Sequence, residues 1–186
     1  MRILTRSTLL ALVALLAVGV LACNGHTERT DTGGVNLQIQ TFNGMPLTKS
    51  VNTGASFVQI GTLTLRSIIL GPDIAPGETS DISITTYQVT YKRLDGSGPN
   101  PPPYVNHIFG NVPVGGTATF NNLDVMGPAQ FNSRPISDLF NENGGFIRET
   151  GDNFIPIEFQ LTFFGKTISG RDVASNTVAF TITLTQ

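Results

Sequence analysis

Two segments near the end of the chain alternate strictly between apolar and polar residues, and this alternation constrains the fold more than any other feature. Residues 155–164 carry an apolar side chain at every second position, and residues 177–186 repeat the pattern. A period of two is typical of half-buried β-strands. Two such strands cannot bury their apolar rows alone, so the rest of the chain must supply a covering layer. The rows are Ile155, Ile157, Phe159, Leu161 and Phe163, followed by Val178, Phe180, Ile182 and Leu184.

Four upstream segments are also rich in apolar and β-branched residues and are separated by Gly- and Pro-rich turns. The apolar phase slips near Gly61 in the second of them, which predicts a bulge or a bend there. It slips again at Thr85–Thr86 in the third, which predicts another bulge or a strand that changes sheets. The second segment can also be interpreted as one strand buried on both faces. The only plausible helical turn is short, from Pro135 to Phe140. The four segments are residues 35–40, 57–70, 82–93 and 117–125.

About seven strands at regular spacing, with little helix, predict an all-β fold in the form of an antiparallel β-sandwich. Residues 163–173 (FFGKTISGRDV) resemble the last inter-strand connection of bacterial immunoglobulin-like domains, which often reads aromatic-Gly, an Asp, a Gly-Asn pair and then Val. Thr167 and Arg171 stand where Asp and Asn are frequent in that family. The resemblance implies an immunoglobulin-like sandwich used as a spacer or adhesive module.

The first 22 residues have the order of features of an export signal. Arg2 and Arg6 form a basic head, and the run from Leu9 to Leu21 carries no charge. This run is too short to span a bilayer comfortably, since a spanning helix needs about 20 apolar residues. It ends in the sequence VLAC, which resembles the lipobox of bacterial lipoproteins. That resemblance implies cleavage between Ala22 and Cys23 and attachment of lipid to the Cys23 sulfur, whereas the alternative is a plain secretory leader that happens to end at a Cys.

Cys23 is the only cysteine of the chain, so no intramolecular disulfide can form, and lipidation would account for a lone thiol in an exported protein. Residues 24–34 contain no apolar residue and end in Gly-Gly, which predicts a flexible tether. The predicted organisation is a signal peptide (1–22), a lipidated Cys with its tether (23–34) and a β-sandwich domain (35–186). Asn24 replaces the Asp that commonly retains enterobacterial lipoproteins at the inner membrane. We therefore expect the outer membrane, or the plasma membrane if the host has only one.

The charge balance and the absence of known motifs exclude several classes of function. Lys and Arg total 11 against 13 Asp and Glu, so the chain lacks the basic patch that nucleic acid requires. The sequence contains no Walker loop, no dinucleotide fingerprint and no Cys or His cluster for zinc. It also lacks the G-x-S-x-G elbow of many hydrolases. No catalytic residue and no cofactor is predicted.

Calcium is the one metal for which the sequence offers candidate ligands. Glu149, Asp152 and Asn153 lie in one loop, Asp172 and Asn176 lie in another, and both loops are expected to open at the same end of the sandwich. Hard cations prefer such oxygen ligands, but the D-x-D-x-[DN]-G pattern of calcium loops is missing. Asp152, Asn153 and Asp172 are therefore weak candidates, and scattered surface acids are the alternative.

His107 follows the Pro-rich segment 99–103 and precedes Ile108 and Phe109. A single His beside apolar residues is more often packed than catalytic, because a general base needs a placed partner. The predicted function is a lipid-anchored envelope protein with a non-catalytic binding or structural domain, recognising another envelope protein or a surface polymer through loops or an added strand. The alternatives are a membrane-tethered hydrolase with a carboxylate or His107 centre, and an accessory subunit of an envelope assembly.

Overall fold

The computed structural model describes residues 34–52, 57–70, 80–96 and 98–186. Within these ranges there are nine strands, whereas about seven were predicted, and the prediction of a β-rich domain with little helix is confirmed. The strands are β1 Val35–Asn43, β2 Thr48–Ser50, β3 Val58–Ile69, β4 Ile82–Arg93, β5 Tyr104–Val112, β6 Thr117–Met126, β7 Phe154–Thr167, β8 Asp172–Ala174 and β9 Val178–Thr185.

The strands form two sheets. The smaller sheet has the order β1-β3-β6, and the larger has the order β2-β9-β7-β4-β5, with β8 paired to the later part of β7. All these pairings are antiparallel except that of β2 with β9, which is parallel. The two alternating segments of the sequence, β7 and β9, are hydrogen-bonded neighbours in which Phe159 faces Phe180.

The apolar rows of the two sheets form the core. Every residue of the predicted β7 row is fully buried, as are Ile182 and Leu184 of β9. Between the sheets, Phe163 of β7 stacks on Phe120 of β6 with ring centroids 5.9 Å apart, and Phe180 of β9 lies 5.6 Å from Phe42 of β1. Within the larger sheet, Phe159 meets Tyr91 edge-on at 5.0 Å. Because burial of apolar surface is the main favourable term in folding, these rows explain why the two sheets pack together.

Both predicted breaks of phase are present. In β4 the pairing register shifts between Ile84 and Thr86 against β5 and against β7, so residues on both sides of the shift reach the core. In β3 the phase of the buried apolar residues changes at Gly61, although the pairing with β6 has no register shift between Ile60 and Thr62. The alternative of a strand buried on both faces is wrong, since Gln59 and Arg66 are exposed.

The connection between β6 and β7 contains the little helix that the described residues hold. It consists of the four-residue helix α1 (Pro128–Phe131) and two 3₁₀ turns, Ile136–Leu139 and Asn141–Asn143. The first 3₁₀ turn matches the predicted helical turn, whereas α1 was not predicted. The connection buries four apolar side chains and so covers the core where β6 ends and β7 begins; they are Phe131, Ile136, Leu139 and Ile147. No helix of the described residues is both long enough and apolar enough to cross a membrane.

Candidate functional site

Strand β5 is the last strand of the larger sheet and pairs only with β4. It leads into β6 through a tight turn in which the Gly116 N–H donates to the Pro113 carbonyl (2.9 Å), but β6 pairs with β3 in the other sheet. One long side of β5 therefore has no strand partner among the described residues. The unpaired backbone groups of an edge strand are a ready template for another strand.

The outward row of β5 is apolar for an exposed strand. Val105 and Phe109 are 56% and 86% exposed, and His107 lies between them on the same face. Edge strands are usually protected by charged side chains, prolines or bulges. The span of β5 contains no charged residue and no proline, and only the register shift against β4 interrupts it. We call the surface formed by Val105, His107 and Phe109 the β5 edge.

Asn106 connects the β5 edge to the interior. Its Nδ2 donates to the hydroxyl oxygens of Tyr87 (3.2 Å) and Tyr104 (3.1 Å). Its Oδ1 accepts the backbone N–H of His107 at 2.9 Å. A single partly buried amide therefore fixes the backbone at the centre of the β5 edge relative to two tyrosine side chains.

Two tyrosines of β4 join the larger sheet to the smaller one. The Tyr87 hydroxyl donates to the carbonyl of Asp124 and the Tyr91 hydroxyl donates to the carbonyl of Val125, each at 2.6 Å. Burial raises the pKa of both hydroxyls well above the ordinary value of about 10, because the phenolate would lose its solvation. Burial also raises the pKa of Tyr104. These hydroxyls stay protonated donors near neutral pH, which suits a structural role and not acid–base chemistry.

The structure places His107 on the exposed outer face, so the expectation of a packed side chain is wrong. The reason is the alternation of β5, which turns Ile108 towards the core and His107 and Phe109 away from it. The His107 Nδ1 lies 3.4 Å from the Thr86 hydroxyl oxygen. A hydroxyl on an open surface does not orient an imidazole as the carboxylate of a catalytic triad does.

The calcium candidates lie at opposite ends of β7. Asp152 and Asn153 directly precede Phe154, the first residue of β7, whereas Asp172 pairs with Lys166 near its last residue. The 12 residue-to-residue steps from Phe154 to Lys166 correspond to about 40 Å of extended strand. The expectation that both loops open at the same end is therefore wrong, because nearly the whole length of β7 lies between them.

Three of these candidate side chains have partners within the protein. Glu149 binds Arg134 at 2.8 Å, Asp172 binds Lys166 at 3.2 Å, and the Asn176 Oδ1 accepts the Ile39 N–H at 2.7 Å. Among the residues that the structure describes, no group of three or more His, Cys, Asp or Glu side chains could hold a metal ion.

A network of arginines and acids attaches the β6–β7 connection to the end of β4. The Asp138 carboxylate is buried and binds Arg134 and Arg148 through different oxygens, each at 3.2 Å. Glu149 extends the network from Arg134 to Arg93, whose Nη1 lies 3.7 Å from its Oε2. Sequence reasoning missed this cluster, although Arg134 and Asp138 have the four-residue spacing of a helical ion pair.

The predicted lipid attachment site lies outside the described residues. Ala22, Cys23 and all of the tether except Gly34 fall in residues 1–33. Cleavage between Ala22 and Cys23 and lipidation of Cys23 therefore stay predictions.

The fold and surface together define a β-rich domain of two sheets with an exposed edge strand. No protein-family model matches the chain, and no curated protein matches it. A crystal structure of a protein from Archaeoglobus fulgidus is similar, with 10% identity, a TM-score of 0.40, and coverage of 82% of this chain and 94% of that chain. An X-ray structure solved as a Northeast Structural Genomics Consortium target has 7% identity, a TM-score of 0.35, and coverage of 81% and 87% respectively. Both TM-scores are too low to assign the fold.

Proposed function

We propose that this chain is an exported, lipid-anchored protein of the bacterial envelope whose β domain binds a partner and catalyses no reaction. The observation that carries the binding role is the β5 edge, where Phe109 is 86% exposed on an uncharged strand with one open side. Isolated exposed apolar residues are common, but a row of them along an open edge strand is a feature that proteins otherwise avoid. The resemblance of the leader to a lipobox supports the location.

The strand order supports an immunoglobulin-like sandwich. In that architecture the first, second and fifth strands share one sheet, while the third, sixth and seventh strands form the other. With β2 and β8 set aside, β1, β3 and β6 are the first, second and fifth strands of this chain, and they form the smaller sheet. The larger sheet contains β4, β7 and β9, which are the third, sixth and seventh. The fourth strand, β5, departs from that architecture, because it pairs with β4 in the larger sheet and does not join the smaller one. Strand β2 adds to the opposite end of the larger sheet.

The partner is an extended segment of another envelope protein. Such a segment adds to β5 as a further strand, its main chain hydrogen-bonding to the open side of β5 while its side chains contact Val105 and Phe109. In this mode of recognition the backbone bonds provide affinity, and contacts to alternate side chains provide specificity. The register shift against β4 lies between His107 and Gly110, so the added strand pairs along residues 104–107 and reaches Phe109 where this straight part of β5 ends.

Site-specific crosslinking in living cells tests the binding role. A photoreactive residue is placed at Phe109 in the full chain, and a matched one is placed at Phe146, which is 54% exposed on the β6–β7 connection. We expect a discrete adduct from position 109, its loss when Val105→Lys is added, and no equivalent adduct from position 146. The same adducts from both positions, or none from position 109, would contradict the proposal.

Fractionation tests the anchor. Cys23→Ser removes the predicted acylated sulfur, and Asn24→Ser changes the neighbouring residue as a control. Several acyl chains on one residue anchor stably, at about 0.8 kcal/mol per buried CH₂. We expect Cys23→Ser to move the exported chain out of the membrane fraction and Asn24→Ser to leave it there. A Cys23→Ser chain that has lost its leader and still stays firmly in the membrane fraction would show that the anchor is wrong.

A further inference from the structure

A groove of about 290 Å³ opens where β1 ends and β3 begins, beside the middle of β6. This volume is at the lower end of the range for small-molecule sites, about 300–1,000 Å³, so it suits one ring-sized unit. Gly44 and Gly61 contribute backbone to the groove, and Lys49, Phe57, Gln59 and Asn122 contribute side chains.

The backbone of the groove is held by close approach of two glycines. A Cβ on Gly44 would lie 3.0 Å from the Gly61 Cα, and a Cβ on Gly61 would lie 3.3 Å from the Gly44 Cα. Gly44 also has a φ of +71°, which disfavours any side chain there. On β6, Asn122 lies between the residues paired with Ile60 and Thr62 and has a φ of +52°. The concavity therefore follows from the backbone conformation at Gly44, Gly61 and Asn122 and not from loosely packed side chains.

The side chains of the groove combine a cation, an aromatic ring and two amides. Lys49 forms no ion pair with any residue in the described ranges. Phe57 is 42% exposed. Gln59 donates from Nε2 to Asp124 Oδ1 at 2.8 Å, which leaves its amide oxygen as an acceptor among the described contacts, and the Asn122 side chain is exposed.

These groups match the parts of one class of ligand. The ammonium of Lys49 suits a carboxylate, since charge-assisted hydrogen bonds are the strong ones. The Phe57 ring suits the apolar face of a saturated ring, and the amides of Gln59 and Asn122 suit hydroxyl groups that both donate and accept. From this arrangement we propose that the groove binds a sugar acid, a hydroxylated ring that bears a carboxylate, as a single unit of an acidic surface polymer. The groove and the β5 edge share no residue, so the two proposals are independent in structure. The inference rests on the proposed function for one point only, the envelope as the source of the polymer.

Titration of the full chain with sodium glucuronate and with glucose tests the inference, with NMR chemical shifts and calorimetry as readouts. We expect saturable binding of glucuronate that shifts the signals of Lys49, Phe57 and Asn122, and at least tenfold weaker binding of glucose. Lys49→Gln should weaken glucuronate binding about tenfold or more, the size of one charge-assisted bond. The control Lys166→Gln removes a 61% exposed lysine on β7 that does not line the groove, and it should change nothing.

Each other outcome would overturn the assignment. Equal binding of glucuronate and glucose would contradict the proposed recognition of the carboxylate by Lys49. Acetate binding as tightly as glucuronate would show a carboxylate site without sugar recognition. Equal losses from Lys49→Gln and Lys166→Gln would show non-specific attraction of charge, and the absence of any saturable shift at the groove would rule out the site. Crosslinking at Phe109 is measured separately and should be unchanged by Lys49→Gln, so failure of this inference is distinguishable from failure of the proposed function.

Discussion

Replacing Tyr91 by Phe tests whether a buried hydroxyl holds the two sheets together. Tyr91 is 6% exposed and its hydroxyl donates to the Val125 carbonyl at 2.6 Å. Val58 pairs with Met126 and Gln59 pairs with Asp124, so the register shift leaves Val125 without an opposite residue in β3. The Tyr91 hydroxyl thus bonds a carbonyl at a position where the strand ladder is interrupted. Phe keeps the aromatic ring against Phe159, so the substitution isolates the hydrogen bond.

The expected loss of stability follows from the buried Val125 carbonyl, which Tyr91→Phe leaves without its donor. A buried hydrogen bond contributes about 1 kcal/mol net, and a buried acceptor left without its donor costs about 1–3 kcal/mol. Because no apolar area is removed, we expect Tyr91→Phe to lower the free energy of unfolding by about 2 kcal/mol. For a domain of this size that corresponds to a fall in Tm of about 4 to 8 °C.

Urea denaturation followed by circular dichroism measures this loss, provided that the m-value is unchanged. Tyr104→Phe is the matched control, because Tyr104 is only partly buried and its hydroxyl accepts one bond from Asn106 at 3.1 Å. We expect the control to cost less than about 0.5 kcal/mol. If Tyr91→Phe stayed within about 0.5 kcal/mol of the wild type, or if both variants lost equally, the reasoning about the interrupted ladder would be refuted.

Two further predictions concern charge. The chain has three Tyr and no Trp, so the ultraviolet absorbance of tyrosinate reports only on Tyr87, Tyr91 and Tyr104. Burial raises the pKa of all three in the folded state, so the unfolded chain loses its phenolic protons first. Their contribution to stability is constant below about pH 10 and falls above it by up to about 1.4 kcal/mol per pH unit for each group. Tyr91→Phe should therefore reduce the slope of the unfolding free energy against pH, as measured by denaturation above about pH 10. An unchanged slope would contradict the assignment. Arg93→Met removes a buried guanidinium that binds Asp95 and should cost about 3 kcal/mol. Lys166→Gln breaks an ion pair whose two side chains are 61% and 85% exposed, and it should cost less than about 1 kcal/mol. Urea denaturation of both variants checks this prediction, and equal losses would contradict it.

The strands that were predicted best from the sequence are those whose two faces differ most in burial. Strands β7 and β9 show a strict period of two because one face is buried and the other is solvated. The change of phase in β3 and the bulge in β4 were predictable for the same reason, since a shift of phase in a half-buried strand is visible in the order of its side chains.

Strand β5 was not located from the sequence because neither of its rows is purely apolar. Tyr104, Asn106 and Ile108 alternate with Val105, His107 and Phe109, and the structure buries the first row only in part. An edge strand with one partner shows only weak alternation of apolar and polar residues, so this alternation does not distinguish the strand from a loop. Strands β2 and β8 span three residues each, which is too short for any period.

The error in the calcium expectation came from ignoring the strand between the loops. A single strand carries the chain from one end of a sheet to the other, so loops that precede and follow it cannot meet. Residues 155–164 were predicted as such a strand, and this already separated Asp152 from Asp172. The partners of Glu149, in contrast, required the structure, because Arg93 is on β4 and Arg134 lies in the irregular β6–β7 connection.

The tyrosines and the β5 edge are one connected arrangement. Tyr87 donates to the Asp124 carbonyl of β6 and accepts from Asn106, which in turn accepts the His107 N–H. The smaller sheet therefore positions the backbone of β5 through two side chains. A strand that is already fixed loses less conformational entropy when a partner adds to it, so this buried chain of bonds favours binding at the β5 edge. These hydrogen bonds also explain why a polar residue, Asn106, lies on the inward row of β5. An apolar residue there would bury more apolar area, but it would leave the His107 N–H without this acceptor.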